Sequence, residues 1–120
     1  MRIVIKVGTS TLTHDSGALN LRNMDYLVRT ISDLSGMGNE VILVSSGAIA
    51  AGTSRLGLKE RPRELKYKQA AAAVGQIGMM HIYDKLFGEY SRISAQILLT
   101  GDDVDDPNRA AHLFIADRKS

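Results

Sequence analysis

Residues 41–52 read VILVSSGAIAAG, and this stretch decides the fold that we predict for the chain. Its first four residues are apolar and mostly β-branched, which favours a short buried strand in a parallel sheet. Ser45, Ser46 and Gly47 end the apolar run, and the helix-favouring sequence AIAA follows them. The stretch therefore predicts a strand that turns directly into a helix.

A strand that turns into a helix at small residues can bind an anion. The first amide groups of the helix lack intrahelical acceptors, and the helix start carries about half a unit of positive charge. Gly47 allows a ligand to approach the backbone closely, and the hydroxyl group of Ser46 is a further donor. The same arrangement also occurs where nothing binds, so a second junction of this kind would strengthen the prediction.

The N-terminal residues supply that second junction. Residues 2–7, RIVIKV, read as a strand, and Gly8, Thr9 and Ser10 follow it directly. Alternation along the strand puts Lys6 near its carboxyl end, on the face opposite the isoleucines. A lysine at a strand end is often merely solvated. In open α/β sheets, however, ligands bind beyond the carboxyl ends of parallel strands, so Lys6 is also a candidate ligand-binding side chain.

An amphipathic helix lies between the two junctions. Apolar side chains recur at helical spacing over residues 24–34, with Asn20 as the expected N-cap and Gly36 or Gly38 as the stop. Strand, helix and strand form a βαβ unit, in which the strands are parallel and the crossover is right-handed. We therefore expect both junctions at the same edge of the sheet.

A long helix and one more strand are predicted after the second junction. The helix runs from Pro62 to about Phe87 with Gly88 as its terminator, and Gly75 and Gly78 within it indicate close packing or a nearby ligand. Residues 93–100 read as a third strand, and residues 107–117 as a last helix. The predicted inner face of the long helix carries Leu65, Ala72, Ala73, Gln76, Ile77, Met80, Tyr83 and Phe87.

Composition limits the classes of protein that the chain can belong to. Its 120 residues suffice for one domain, and the absence of cysteine excludes disulfides, cysteine metal sites and a cysteine nucleophile. The net charge of +2 does not indicate a nucleic-acid partner. The basic cluster at residues 59–68 reads either as a solvated helix face or as a basic rim for phosphates. No segment reads as a targeting signal or a membrane span, so we expect a cytoplasmic protein with no membrane partner.

Generic nucleotide-binding and catalytic motifs are absent from the sequence. The chain has no G-x-G-x-x-G, no Walker lysine motif and no G-x-S-x-G elbow. The acidic residues 102–106 do not begin a calcium loop, because the positions that require glycine and glutamate hold Pro107 and Leu113. The two junctions therefore remain the candidate site.

Four segments carry a resemblance to known proteins: residues 5–10 (IKVGTS), 44–52 (VSSGAIAAG), 68–76 (KQAAAAVGQ) and 96–100 (QILLT). Together they resemble the glutamate 5-kinases, a branch of the amino-acid kinase family, over about residues 1–103. The resemblance implies a three-layer α/β/α fold with a mainly parallel sheet, of which this chain would be an incomplete part.

The resemblance also implies an activity and a set of site residues. The enzyme would move the γ-phosphoryl group of ATP to the side-chain carboxylate of L-glutamate, the first step of proline biosynthesis, with Mg²⁺. Lys6 would be catalytic and contact the transferring phosphoryl group. Feedback inhibition by proline and a homo-oligomeric state are further family expectations. The residues implied for ATP binding are Lys6, Gly8, Thr9 and Ser10, and those for glutamate binding are Ser46, Gly47 and Ala48.

Only part of the family's kinase domain matches. We expect residues 1–120 to carry the acceptor-substrate and phosphoryl-transfer part, with the nucleotide-binding half absent, so that the chain alone turns over poorly or not at all. The alternative is a non-catalytic α/β module that binds an amino acid or another anion. Glutamate-dependent ATP hydrolysis would favour the enzyme, and ligand binding without turnover would favour the module.

Overall fold

The computed structural model describes residues 1–96 and the backbone of residues 116–118. The elements in chain order are β1 (Arg2–Val7), α1 (Thr9–Leu12), α2 (Leu21–Gly36), β2 (Glu40–Ser45), α3 (Ala48–Arg55), α4 (Leu65–Glu89), β3 (Arg92–Ser94) and β4 (Ala116–Arg118).

Strands β1 and β2 pair in parallel. Their register joins Arg2 to Glu40 at one end and Val7 to Ser45 at the other. Along β1 the odd-numbered side chains are buried or half-buried and the even-numbered ones are exposed, as the alternation predicts. An exposed ion pair between Arg2 and Glu40, at 2.9 Å, lies at the end away from the candidate site. The predicted βαβ unit is confirmed, and both of its strands end at the same edge.

Helix α2 connects the two strands and matches its prediction. Asn20 is the N-cap, and its side-chain oxygen accepts a hydrogen bond from the backbone N–H of Asn23 at 3.1 Å. The helix ends at Gly36, and Gly38 takes a φ of +94°, which favours glycine. The buried side chains of α2 are Met24, Val28, Ile31, Ser32 and Ser35.

The core lies on one face of the strand pair. Helices α2 and α4 both pack there, because their buried side chains form one cluster with those of β1 and β2. On the opposite face Val4 is 60% exposed and Val44 is 37% exposed, so this face is largely open in the described part of the chain. The α/β class with a parallel sheet is confirmed, and residues 1–96 supply two of the three predicted layers. The core residues are Val7, Leu12, Met24, Val28, Ile31, Val41, Leu43, Met79, Tyr83 and Phe87.

Helix α4 differs from its prediction at both ends. It begins at Leu65 rather than Pro62, because Glu64 keeps an extended N-cap conformation with φ −76° and ψ 141°. It also continues past Gly88, and Ser91, with a φ of +57°, lies in the turn that follows it. The prediction of Gly88 as the terminator is therefore wrong.

The inner face of α4 is rotated from the predicted one. Leu65 and Ile77, both predicted to face inward, are 69% and 70% exposed. The face is set by contact with α3, because a Cβ atom on Gly75 would lie 1.8 Å from the carbonyl oxygen of Ala48. The buried row is Ala71, Gly75, Met79, Tyr83 and Phe87, of which the last two match the prediction.

Glycines on both helices bring α3 and α4 into backbone contact. A Cβ atom on Gly52 would lie 1.7 Å from the carbonyl oxygen of Ala71, and one on Gly75 would lie 2.7 Å from the amide nitrogen of Gly52. Neither glycine can be replaced without moving a helix, so the close-packing interpretation is confirmed for Gly75. At Gly78 a Cβ atom would meet only a side-chain nitrogen of Arg55, at 2.9 Å, and a flexible side chain can yield.

The structure describes only some of the residues for which the third strand and the last helix are predicted. β3 covers Arg92–Ser94, residues 95 and 96 are not in a strand, and residues 97–100 lie outside the described residues. β3 pairs antiparallel with β4, with Ile93 opposite Asp117. The predicted last helix is therefore wrong at residues 116 and 117, whose backbone groups pair with β3 instead of forming helical hydrogen bonds. Residues 107–115 of that prediction lie outside the described residues.

Candidate functional site

The two predicted junctions meet at one edge of the strand pair. The backbone N–H of Ser46 donates to the carbonyl oxygen of Val7 at 3.2 Å, and the hydroxyl group of Ser46 donates to the same oxygen at 3.0 Å. A Cβ atom on Gly47 would lie 3.7 Å from the Cα atom of Thr9. The residues that follow β1 therefore contact those that follow β2, as their position after parallel strands predicts.

The first junction forms a single helical turn rather than an open turn. Gly8 is the N-cap of α1, and its carbonyl oxygen accepts from the N–H of Thr11 at 3.2 Å. Thr13 closes the turn, because its N–H and its hydroxyl group both donate to the carbonyl oxygen of Thr9, at 2.9 and 2.8 Å. Gly8 and Ser10 are exposed, and a Cβ atom on Gly8 would meet nothing within 4 Å. The start of α1 is thus accessible to a ligand.

The second junction depends on the conformation of Gly47. This residue has φ +104° and ψ 0°, a left-handed conformation that other residues adopt at a cost. It is the N-cap of α3 and has no side chain that could accept from the first amides of that helix. The carbonyl oxygen of Gly47 accepts from the N–H of Ala51 at 2.9 Å, which starts the helix. Gly47 is buried and Ala48 is half-buried, and among the described residues the N–H of Ala48 has no backbone acceptor, as is usual at a helix start.

Lys6 lies one residue before the end of β1, on the largely open face of the strand pair. It is exposed, and its partner in the register is Val44, which is on the same face. Within the part of the chain that the structure describes, Lys6 forms no ion pair. Lys6 therefore adds a positive charge to the edge of the strand pair at which both junctions lie, and a positive charge there favours phosphate and carboxylate groups.

Helix α4 supports the second junction from the core side. The hydroxyl groups of Tyr83 and Ser45 form a hydrogen bond of 3.0 Å, and Tyr83 is 2% exposed. Burial raises the pKa of Tyr83, and the hydrogen bond to Ser45 partly offsets this effect. Sequence analysis identified Tyr83 as a core residue and did not connect it to the site. The sequence signal that was missed is a hydroxyl-bearing aromatic residue on an apolar helix face, since a buried tyrosine hydroxyl usually has a hydrogen-bond partner.

An open groove of about 560 Å³ is lined by residues other than those of the two junctions. Its walls come from α3, α4 and the loop before α2, and they include Ser54, Arg55, Gly78 and His81. None of the predicted site residues lines this groove. The groove and the edge of the strand pair are therefore separate features.

The part of the chain that the structure describes shows neither a cluster of metal-binding side chains nor a membrane-spanning helix. Among the side chains of residues 1–96, no group of three or more histidine, aspartate or glutamate residues is arranged to hold a metal ion. None of the helices described there has the length and apolar character needed to cross a membrane.

Comparison with protein families identifies the fold. The profile of the amino acid kinase family matches residues 1–117. The chain belongs to the amino acid kinase family. The matched region contains both junctions, the one after β1 and the one after β2.

Comparison with curated proteins shows similarity to glutamate 5-kinases. This amino acid kinase segment is 58% identical over 109 residues to the glutamate 5-kinase of Caldanaerobacter subterraneus subsp. tengcongensis, an alignment that covers 91% of the chain and 29% of that protein. It is 57% identical over 101 residues to the glutamate 5-kinase of Clostridium perfringens, covering 84% of the chain and 38% of the relative. It is 55% identical over 112 residues to the glutamate 5-kinase of Clostridium acetobutylicum, covering 93% of the chain and 42% of the relative. The chain thus spans less than half the length of these relatives.

Proposed function

We propose that this chain is the acceptor-side part of a glutamate 5-kinase, which transfers the γ-phosphoryl group of ATP to the side-chain carboxylate of L-glutamate. The observation that carries the proposal is the meeting of two strand-to-helix junctions beside Lys6, in a chain 55–58% identical to three glutamate 5-kinases. Two helix starts and one lysine suit a reaction between two anionic groups.

In this reaction the protein mainly positions the two reactants and stabilises negative charge. A side-chain carboxylate is ionised at neutral pH, so its oxygen attacks the γ-phosphorus without a general base. The bond between the γ-phosphorus and the bridging oxygen breaks, and its electron pair leaves with ADP. The products are an acyl phosphate and ADP. Positive groups must therefore hold two anions together and stabilise the charge on the transferring group.

The two junctions would divide this work between them. We assign glutamate binding to Ser46, Gly47 and Ala48, because the start of α3 offers amide donors beside an exposed hydroxyl group. We assign contact with the transferring phosphoryl group to Lys6, a flexible point charge suited to phosphate. The residues assigned to the phosphates of ATP are Lys6, Gly8, Thr9 and Ser10.

Nucleotide binding would need more than residues 1–120 supply. We propose that these residues form the acceptor-substrate and phosphoryl-transfer part of the kinase domain, and that the nucleotide-binding half lies outside them. Mg²⁺ would arrive with ATP. We assign it no protein ligand, because no metal-binding cluster is present among the side chains of residues 1–96.

The wider biology follows from the same proposal. Transfer to glutamate would make this the first step of proline biosynthesis, and we propose a cytoplasmic protein. Inhibition by proline and assembly into a homo-oligomer are proposed on the similarity to glutamate 5-kinases.

Isothermal titration calorimetry with separate ligands tests the proposal. We expect the 120-residue chain to bind L-glutamate, and to bind L-aspartate more weakly, because its side-chain carboxylate is one methylene closer to the ammonium group. We expect ATP to bind weakly or not at all. Absence of glutamate binding would contradict the assignment of the acceptor site.

Trapping of the acyl phosphate with hydroxylamine separates the kinase from the non-catalytic module. We expect hydroxamate to form from glutamate and ATP when the chain is part of an intact kinase. If the intact protein binds glutamate but forms no acyl phosphate, the result would favour the non-catalytic module.

A further inference from the structure

We propose that Tyr83 is a positioning residue for the acceptor site, acting through its hydrogen bond to Ser45. This inference rests on the proposed function, because it concerns the glutamate-binding residues at the end of β2. Tyr83 would contact neither substrate. Its hydroxyl group would instead hold Ser45, and with it the adjacent Ser46, at the position that the acceptor site requires.

The hydrogen bond lies directly behind the proposed glutamate site. Ser45 is the last residue of β2, and its hydroxyl group lies 3.0 Å from that of Tyr83. Ser46 follows in sequence, and its hydroxyl group donates to the carbonyl oxygen of Val7 at 3.0 Å. The end of β2 is thus held from two directions, by α4 through Ser45 and by β1 through Ser46.

A second contact between α4 and the site makes Tyr83 part of a larger support. The carbonyl oxygen of Ala48 packs on the backbone of Gly75, two helical turns before Tyr83 on the same row of α4. Helix α4 therefore contacts the residue before Ser46 and the residue after Gly47. A shift of α4 would move both flanks of the junction together.

The hydroxyl group of Tyr83 is not needed to fill the core. The Tyr83 ring packs with that of Phe87, at 6.2 Å between centroids, and a phenylalanine at position 83 would keep this contact. Burial raises the pKa of Tyr83, so its hydroxyl group stays protonated at neutral pH and remains able to donate. A single polar group in an apolar row, aimed at the end of β2, is what a positioning role requires.

The first experiment measures glutamate affinity in two variants and one matched control. Tyr83→Phe and Ser45→Ala should each raise the Kd for L-glutamate about three- to tenfold, the range expected from losing one neutral hydrogen bond. The double variant should be no weaker than the weaker single variant, because both remove the same bond. Tyr90→Phe removes a hydroxyl group from the C-cap residue that follows α4, where the hydroxyl accepts from Arg29, and should leave the Kd unchanged. Wild-type affinity in Tyr83→Phe would overturn the inference.

A second experiment tests the same inference in the absence of glutamate. Hydrogen exchange of the Ser46 amide, which donates to Val7, should accelerate in Tyr83→Phe and Ser45→Ala, with no change for the buried amides of α2. Acceleration at the buried amides of α2 as well would mean a purely structural role and would overturn the inference, as would an unchanged exchange rate at Ser46. If the wild-type chain fails to bind glutamate while the Ser46 amide still responds, the proposed function fails, and what stands is only that Tyr83 holds the end of β2.

Discussion

The backbone N–H and the hydroxyl group of Ser46 both donate to the carbonyl oxygen of Val7, at 3.2 and 3.0 Å. One carbonyl group at the end of β1 thus fixes the residue that follows β2. Because the hydroxyl group has one hydrogen and two lone pairs, its hydrogen is used within the protein and its lone pairs remain for a ligand. This relationship joins the two halves of the proposed site and leads to the first prediction.

Replacement of Ser46 by alanine should weaken glutamate binding about three- to tenfold, since it removes an acceptor for the ammonium group of the substrate. Glutarate has the same two carboxylates and no ammonium group, so its affinity should change less. Calorimetry with both ligands checks this difference. Equal losses for glutamate and glutarate would mean that Ser46 contacts a carboxylate instead.

Replacement of Gly75 by alanine should lower the free energy of unfolding by about 1–3 kcal/mol, as expected for overpacking at a tight contact. The added methyl group would lie 1.8 Å from the carbonyl oxygen of Ala48, so one helix must move. Gly88 in the same helix has nothing within 4 Å of a Cβ atom, and Gly88→Ala should stabilise by up to about 1 kcal/mol through helix propensity. Urea unfolding of both variants measures the two changes. Equal changes in the free energy of unfolding would contradict the close packing of α3 on α4.

Gly47 and Gly8 offer a second matched pair, one at each junction. Gly47→Ala should cost about 1–2 kcal/mol, because φ at Gly47 is +104°. Gly8→Ala should be nearly neutral for stability, because φ at Gly8 is −83° and the space around it is open. Chemical denaturation measures both. A neutral Gly47→Ala would mean that the second junction has a different backbone conformation.

Loss of the Lys6 ammonium group should affect catalysis far more than folding. In an intact kinase that contains this segment, Lys6→Ala should lower kcat about 10²-fold or more through loss of a transition-state charge contact. Stability should change little, because Lys6 is exposed and has no ion pair among the described residues. Lys66→Ala removes another exposed lysine, 70% exposed, and serves as the control. A kcat close to that of wild type would remove Lys6 from the mechanism.

Tyr83 should make the stability of the chain depend on alkaline pH. Burial raises its pKa in the folded state above the usual 10.0, with a smaller opposing effect from Ser45. Below pH 10 the Tyr83 hydroxyl is protonated in both the folded and the unfolded chain. At higher pH the unfolded chain loses this proton before the folded chain does, so the free energy of unfolding falls as pH rises. Tyr83→Phe should show a weaker decline in denaturant unfolding between about pH 9 and about pH 11. Identical declines in the two proteins would contradict the burial of the hydroxyl group.

Local chemistry accounts for the features that sequence analysis predicted well. The α2 periodicity, the Asn20 cap and the glycine at position 38 each act within a few residues, so the chain segment carries the information by itself. The edge shared by the two junctions was also predictable, because a βαβ unit leaves both strand ends on one side.

Features that depend on contacts between distant segments were missed or predicted wrongly. The face of α4 is chosen by backbone contact of Gly52 and Gly75 across two helices, and a hydrophobicity pattern cannot distinguish it from the neighbouring face. The strand at residues 116–118 is formed by pairing with β3, which outweighs the helical preference of that segment.

The amino-acid sequence by itself therefore determined the α/β class, the position of both junctions and the family to which the chain belongs, because turn glycines and short-range periodicity are local properties. Only the tertiary structure decided that Tyr83 reaches Ser45, that Ser46 is held by Val7, and that Lys6 lies on the open face. These three facts depend on how α4 docks and how two strands align, and close packing between remote segments sets both.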